Sequence, residues 1–264
     1  QEWRARAMVT AGKGNEAIPL LEPLANKQDS SDLDCSLASA YCQVGELERA
    51  RQILREVLQR DPSHVPALIV SSHIDAIQGN TEAEIATLRR ATQFAPNSAT
   101  AHYLLGIALC KASDGNDGMA SISRALELDP NQPAWHFRMA QLHRERSGLD
   151  TALSYYQQSV RLSVEQQLPE PIIAEYSAAL AHTHAEDGDF SAAHQEYEKA
   201  IKLVADQPEW QTAAGQACLN AGHPEAALTY FDKASSLIPD EIEALIGGIR
   251  ALVLLGRMAE AEER

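Results

Sequence analysis

Pro62 in QRDPSH, Pro96 in QFAPNS and Pro130 in ELDPNQ each close an apolar helical pattern, and successive members lie 34 residues apart. Pro239 in SLIPDE follows Pro130 by three further periods plus seven residues. A chain that repeats on this scale is built from two-helix units, none of which buries its apolar face alone. Stacking supplies the core, so the 264 residues are expected to form one array, 1–264, in place of one or two globular domains.

The repeat extends to side-chain detail. The stretch 31–64 carries Leu37, Ala38, Tyr41, Gly45, Ala50, Leu54, Val57 and Pro62. At corresponding points 208–241 carries Ala214, Gly215, Cys218, Gly222, Ala227, Phe231, Ala234 and Pro239. The stretch 99–132 supplies Leu105, Gly106, Leu109, Ile122, Ala125 and Pro130. The stretch 174–207 supplies Leu180, Ala181, His184, Gly188, Ala193, Tyr197 and Ala200, with Ala205 in the proline place. A weaker copy from 133 keeps phase through Met139, Ala140, Ala152 and Tyr156, while 65–98 departs most, with Ser72 at the small position and Glu84 where Ala is expected. Small residues let the two helices of a hairpin approach, and Tyr41, Tyr197 or Phe231 fill the wedge beside them. Glycine in CQVGEL, AEDGDF, LNAGHP and VLLGRM lets the backbone reverse, and proline stops the second helix.

With two helices per 34 residues and these marker positions, the chain resembles the tetratricopeptide-repeat family along essentially its whole length. The resemblance implies an all-α, right-handed superhelical solenoid of helix-turn-helix repeats whose first helices line a concave groove. Units are expected at 1–30 (partial, with Gly12, Ala17 and Leu21 in phase), 31–64, 65–98, 99–132, 133–173, 174–207, 208–241 and 242–264 (partial). The 133–173 unit holds the seven extra residues in RLSVEQQLPEP, which predicts a protruding second-helix end near Val164 to Leu168 and a turn at Pro169 and Pro171. A start without Met and a stop inside a second helix predict a piece of a longer protein. Uncapped terminal repeats would also permit self-association.

Composition limits partners. Lys and Arg number 22 against 37 Asp and Glu, a formal charge of −15, so nucleic acid and anionic membranes are not expected partners. No run of some eighteen apolar residues is present, and no basic stretch leads into a short apolar one at the start. Cys35, Cys42, Cys110 and Cys218 show no CxxC and no pairing pattern, which predicts reduced thiols and a cytoplasmic setting, with a periplasmic one left open.

No catalytic residue, metal site or cofactor is expected. GxSxG, a Gly-rich phosphate loop and HExxH are all absent. His182 and His184 in AHTHAE lie two apart and point to different helix faces, and His184 takes the core place that Tyr41 holds elsewhere. His136 and His143 share a face, but no Cys or carboxylate joins them at ligand spacing. Cys35 and Cys42 are expected to line the groove as small side chains, and Cys218 to be inert in the core. DGNDG, 114–118, lacks the later Glu of a calcium loop and reads as an inter-helix turn.

What remains is the groove that the resemblance implies. Projecting the repeat phase places His73, Tyr103, Ile107, Phe137 and Gln141 on it, followed by Arg144, His182, Gln216 and Arg250, with Arg138 at the edge. Thr212 and Ile246 project there as well. Its middle is expected to be aromatic and basic, the residue types enriched in binding hot spots, suiting a partner with an apolar anchor and a carboxylate. The chaperone-binding members of the family hold a terminal carboxylate with Lys and Asn. Those places here hold Ile69, Tyr103 and Phe137, and His73, Ile107 and Gln141, so that clamp is missing. The expected function is a non-catalytic scaffold holding a peptide or helix of another protein. The alternative is a sensor or regulatory arm of a larger signalling enzyme whose catalytic domain lies outside this chain.

Overall fold

Ser30, His64 and Ser98 stand one repeat apart, and each begins a helix in the same way. The side chain of each accepts a backbone N–H three residues on, from Leu33, Ala67 and Ala101 respectively. Each thereby satisfies a donor that the first turn leaves open. In the computed structural model, which describes residues 1–27, 29–112 and 115–264, these caps open α3 (Ser31–Gln43), α5 (Val65–Ile77) and α7 (Ala99–Lys111).

The described helices fall into two compact units, Gln1–Pro130 and Asn131–Arg264. The first unit contains α1 (Glu2–Thr10) and α2 (Gly14–Ala25), then α3 with α4 (Leu47–Arg60), α5 with α6 (Thr81–Phe94), and α7 with α8 (Gly115–Leu128). The second contains α9 (Pro133–Glu145) with α10 (Leu149–Glu165), α11 (Glu170–Asp187) with α12 (Phe190–Leu203), α13 (Pro208–Asn220) with α14 (Pro224–Leu237), and α15 (Ile242–Leu254) with α16 (Met258–Glu263). Among the described residues there is no strand. Consecutive helices pack as antiparallel hairpins, and each hairpin packs on the next within its unit. The fold is that of an all-α repeat solenoid, as the period predicts.

The marker positions carry the packing. Ala17, Ala38, Ala50, Ala125, Ala140, Ala152, Ala181, Ala193 and Ala227 are all fully buried, as small residues at a helix crossing must be. Tyr41, Tyr156, Tyr197 and Phe231 are buried beside them. Ser72 and Glu84, the departures in 65–98, occupy the same interior positions and are themselves buried.

Between the helices of a hairpin the chain turns through a left-handed residue. Gly45 and Gly222 take φ of +83° and +82°, where a side chain is strained. Ser147 stands at the same repeat position with φ of +60°. A non-Gly residue in that region costs about 1–2 kcal/mol, part of which glycine returns as extra freedom of the unfolded chain. Ser147→Gly is therefore expected to stabilise the chain by about 0.5–1 kcal/mol, read as a shift in the urea midpoint without a change in slope.

Two expectations need correction. The seven extra residues do not make a protruding α10 alone. α10 ends at Glu165 and α11 begins at Glu170 and runs to Asp187, so both helices lengthen. Gln167, with φ of +54°, makes the turn, and Pro171 sits in the first turn of α11, where its missing N–H costs nothing. The second correction concerns DGNDG. Ser113 and Asp114 lie outside the described residues, but Gly115 to Gly118 form the first turn of α8 and not a connecting turn. Glycine fits at 118 because α7 crosses there: a Cβ on it would stand 2.8 Å from the Gly106 carbonyl oxygen.

Candidate partner groove

The first helices of the second unit, α9, α11, α13 and α15, each contribute at least one projected groove residue to a chain of cavities. Arg144 and His182 line a cavity of about 320 Å³ with Tyr197 and Trp210. His182 and Gln216 line the next, about 300 Å³, with Phe190 and Tyr197. Gln216 and Arg250 line a third of about 460 Å³ with Thr212 and Ile246. Ala213 lines all three, so a small side chain at its place keeps the passage open.

The charges differ from the expected basic middle. Arg144 Nε lies 3.8 Å from Glu186, and His182 Nδ1 lies 3.3 Å from the same carboxylate. Glu186 therefore answers both. Arg138 donates to Gln141 Oε1 at 3.1 Å, which occupies both residues with each other. Phe137 is half-buried, stacked on Tyr176 at 4.4 Å between centroids and edge-on to Tyr156 at 5.4 Å. It packs into the cluster of Ala140, Ala152 and Leu180. Phe137, Arg138 and Gln141 line none of the three cavities.

In the first unit, Tyr103 and Ile107 lie one turn apart on α7, both half-buried, and His73 is exposed on α5. A cavity of about 480 Å³ in that unit lies elsewhere, between α2, α3 and α4. Its charges are met internally. Arg60 bonds Asp29 and, at 2.5 Å, Asp34, while the Tyr41 hydroxyl donates to Glu22 under the Arg49 guanidinium. The Glu22 bond, with burial, raises the Tyr41 phenol above its ordinary value.

Several chemistry-bearing side chains are structural. Cys35 and Cys42 do not line the groove: both are buried, because this face of α3 meets its neighbouring helices in the core. Burial, with Asp32 and Asp34 nearby, pushes the Cys35 thiol up to about 12, and burial pushes Cys42 and Cys218 up to about 11. Cys35 Sγ lies 3.7 Å from His64 Nδ1, whose Nε2 is 3.5 Å from Asp32, a row resembling a nucleophile, base and orienting acid. The same Nδ1 accepts the Ala67 N–H that caps α5, and the thiol stays protonated at neutral pH, so the row is a helix cap.

Native chain alkylated with iodoacetamide at pH 7.5 is expected to leave Cys35, Cys42 and Cys218 unmodified, read by peptide mass. Unfolded thiols ionise near 9 while these hold their protons to about 11 or 12. Their contribution to stability is thus complete below pH 9 and is lost as pH rises from 9 toward 12.

His184 is half-buried and not a core residue; Thr183 beside it, at a position also buried as Ala40, Ala108 and Ala217, is fully buried and donates to the Ala179 carbonyl at 2.9 Å. His136 and His143 both pack on the ring of Tyr155, at 5.9 and 5.5 Å. Among the described residues no group of three or more His, Cys, Asp or Glu is placed to hold a metal ion, and no helix is long and apolar enough to cross a membrane.

Sequence profiles of the tetratricopeptide repeat match residues 35–60 and 178–242, one stretch in each unit. Each unit thus carries tetratricopeptide-repeat sequence. Solved repeat proteins share the fold. The C-terminal part of a TPR repeat-containing protein from Cytophaga hutchinsonii superposes with a TM-score of 0.69 at 15% identity, covering 94% of this chain and 99% of that one. The APC/C hetero-tetramer Cut9–Hcn1 gives 0.66 at 20%, covering 94% and 48%. YrrB, described as a TPR protein with an unusual peptide-binding site, gives 0.63 at 17%, covering 73% and 96%. Among curated proteins, the chain is 25% identical over 240 residues to the CTR9 homolog of Arabidopsis thaliana, covering 76% of this chain and 22% of that protein. It is 24% identical over 210 residues to the human protein O-mannosyl-transferase TMTC1, covering 78% and 21%. The chain thus spans about a fifth of the length of these two relatives.

The repeat-phase projection missed Glu175, Glu186, Glu209, Glu241 and Glu243, all of which line the cavities. The signal was present in the sequence: Glu175, Glu209 and Glu243 are one repeat of 34 residues apart.

Proposed function

We propose that the chain is a non-catalytic interaction scaffold that holds a peptide or helix of another protein along α9, α11, α13 and α15. The observation that carries this reading is the row of three cavities joined at Ala213, to which four successive first helices contribute Arg144, His182, Gln216 and Arg250. A concave, largely pre-formed site with a few placed polar groups is what recognition of an extended segment requires. The solved TPR protein YrrB, described as having a peptide-binding site, shares the fold and supports the assignment.

Replacing Ala213 by Trp fills the junction without altering charge. Native-lysate capture with this variant as bait is expected to lose the species held by the parent chain, while Glu225→Ala, exposed on α14 away from the groove, keeps it. Retention by both, with helicity intact, would remove the groove from the account. A second reading, a regulatory arm of a larger signalling enzyme, draws on the relatives, of which this region matches about a fifth. In that case the same groove would receive a segment of its own polypeptide or of a partner that controls it.

A further inference from the structure

The groove in the second unit presents apolar and acidic surface together. Its floor includes Tyr197, Trp210, Ala213 and Ile246. Beside that floor stand Glu175, Glu209 and Glu243, one repeat apart on α11, α13 and α15. All three are exposed, and among the described residues none has a cation paired with it. Corresponding positions in preceding repeats hold Asp32, Pro66, Thr100 and Ala134, so an unbroken acidic row belongs to these three helices. Attraction of acids to a helix N-terminus covers Glu209 and Glu243, which sit in first turns. It does not cover Glu175, which lies in the second turn of α11.

Glu241 adds an independent observation at the end of the row. It occupies the cap position of α15 but makes no capping bond. Its carboxylate turns instead to α13, where Thr212 Oγ1 donates to Oε1 at 2.9 Å. The other oxygen, Oε2, is shielded from solvent and has no hydrogen-bond partner, in a residue that borders the 460 Å³ cavity. A buried acceptor left open costs free energy, which a turn of the carboxylate toward a donor in the cavity would recover.

We infer that the groove receives an extended, cationic segment of a partner protein, with apolar side chains seated on Trp210 and Ile246 and Lys or Arg side chains on the Glu175, Glu209 and Glu243 row. The inference rests on the groove reading given above and adds the chemistry of the occupant. First helices of adjacent repeats touch, α11 to α13 and α13 to α15. Packed helices lie about 8–10 Å apart, and three residues of a polyproline II chain rise about 9 Å and return the side chain to the same face. Basic residues at every third position therefore match the row in step. Arg144 does not oppose this, since Glu186 holds it. The remaining cation, Arg250, is outnumbered by Glu209, Glu241 and Glu243 around the same cavity.

The test uses three fluorescein-labelled peptides with Leu anchors: one with Arg at every third position, one with Glu in those places, and one with the same arginines contiguous. Fluorescence anisotropy at 0.15 M salt is expected to show the spaced basic peptide binding at least tenfold more tightly than the acidic one and severalfold more tightly than the contiguous one. The triple variant Glu175→Gln, Glu209→Gln, Glu243→Gln is expected to weaken it at least tenfold, and Glu241→Gln severalfold. The triple Glu48→Gln, Glu225→Gln, Glu262→Gln, an equal change in net charge outside the groove, is expected to alter it less than twofold.

Equal loss in the two triples, preference for the acidic peptide, or no binding of the spaced basic peptide would overturn the inference. Ala213→Trp separates the two levels. If it abolishes binding while the acidic row has no effect, the groove stands and the cationic occupant falls. If binding survives it, the groove reading falls as well.

Discussion

Truncation of Phe231 to Ala is expected to cost about 3–5 kcal/mol and to remove hydrogen-exchange protection from α13, α14 and α15 together. The ring, 1% exposed, fills the wedge between three helices. A Cβ on Gly215 would come within 2.9 Å of it, and one on Gly247 within 2.3 Å. Two first helices, α13 and α15, thus have glycine where the ring of α14 lies against them. Around it pack Cys218, Leu228, Ala244 and Leu252, all with little room to collapse into the space vacated. In a repeat array each hairpin is stabilised chiefly by its neighbours, so the damage should remain local. Amides of α3 and α4 are expected to keep their protection, and loss of protection across both units at once would show that the array does not behave as locally coupled repeats.

Gly106→Ala is expected to destabilise, which is the opposite sign from intrinsic helix preference. Ala for Gly within a helix gains about 1 kcal/mol when nothing else changes. Here the added Cβ would stand 2.6 Å from Ile122 Cγ1, 2.7 Å from the Gly118 carbonyl oxygen and 3.0 Å from the Ile122 backbone nitrogen. A flexible side-chain end gives way cheaply, but two of these three atoms are backbone. α7 and α8 must therefore move apart, with overpacking costs of about 1–3 kcal/mol or more. A fall in stability of about 1–2 kcal/mol by urea denaturation is expected after the propensity gain is subtracted. A rise would mean that the helices do not cross this closely.

Most of the fold was readable because its determinants recur. A residue that must be small at a helix crossing is needed in every hairpin, so Ala38, Gly106, Ala140, Ala181 and Gly215 announce one another at fixed spacing. The same recurrence located the helix starts at Ser31, Val65, Ala99, Pro133, Pro208 and Ile242. The stretch with extra residues was harder. Proline at 169 and 171 suggested a break, yet a proline in the first turn belongs comfortably inside a helix, and α11 took residues assigned to the connection.

Projection from the repeat was only partly informative about the cavities: His73, Tyr103, Ile107, Phe137, Arg138 and Gln141 line none of the three. Repeat phase put Arg144, His182, Gln216 and Arg250 on one surface, and these do line the three adjoining cavities. It could not say that Glu186 would engage Arg144, or that Phe137 would stack on Tyr176, because those contacts join different helices; the His182–Glu186 pair, four apart on α11, follows from helix spacing. The glutamate row at 175, 209 and 243 was available from spacing alone. It is easily overlooked because charged residues on a helix usually face solvent with no further role, and only the cavities beside these three single them out.

Photo-cross-linking from inside and outside the groove distinguishes the surface that meets a partner. Benzoylphenylalanine placed at Gln216, within the groove, and separately at Glu225, on α14, would be irradiated with the chain in native lysate and the adducts identified by mass. The account predicts protein adducts at 216 that are lost when Ala213→Trp is added, and none at 225. Adducts at 225 with none at 216 would contradict it.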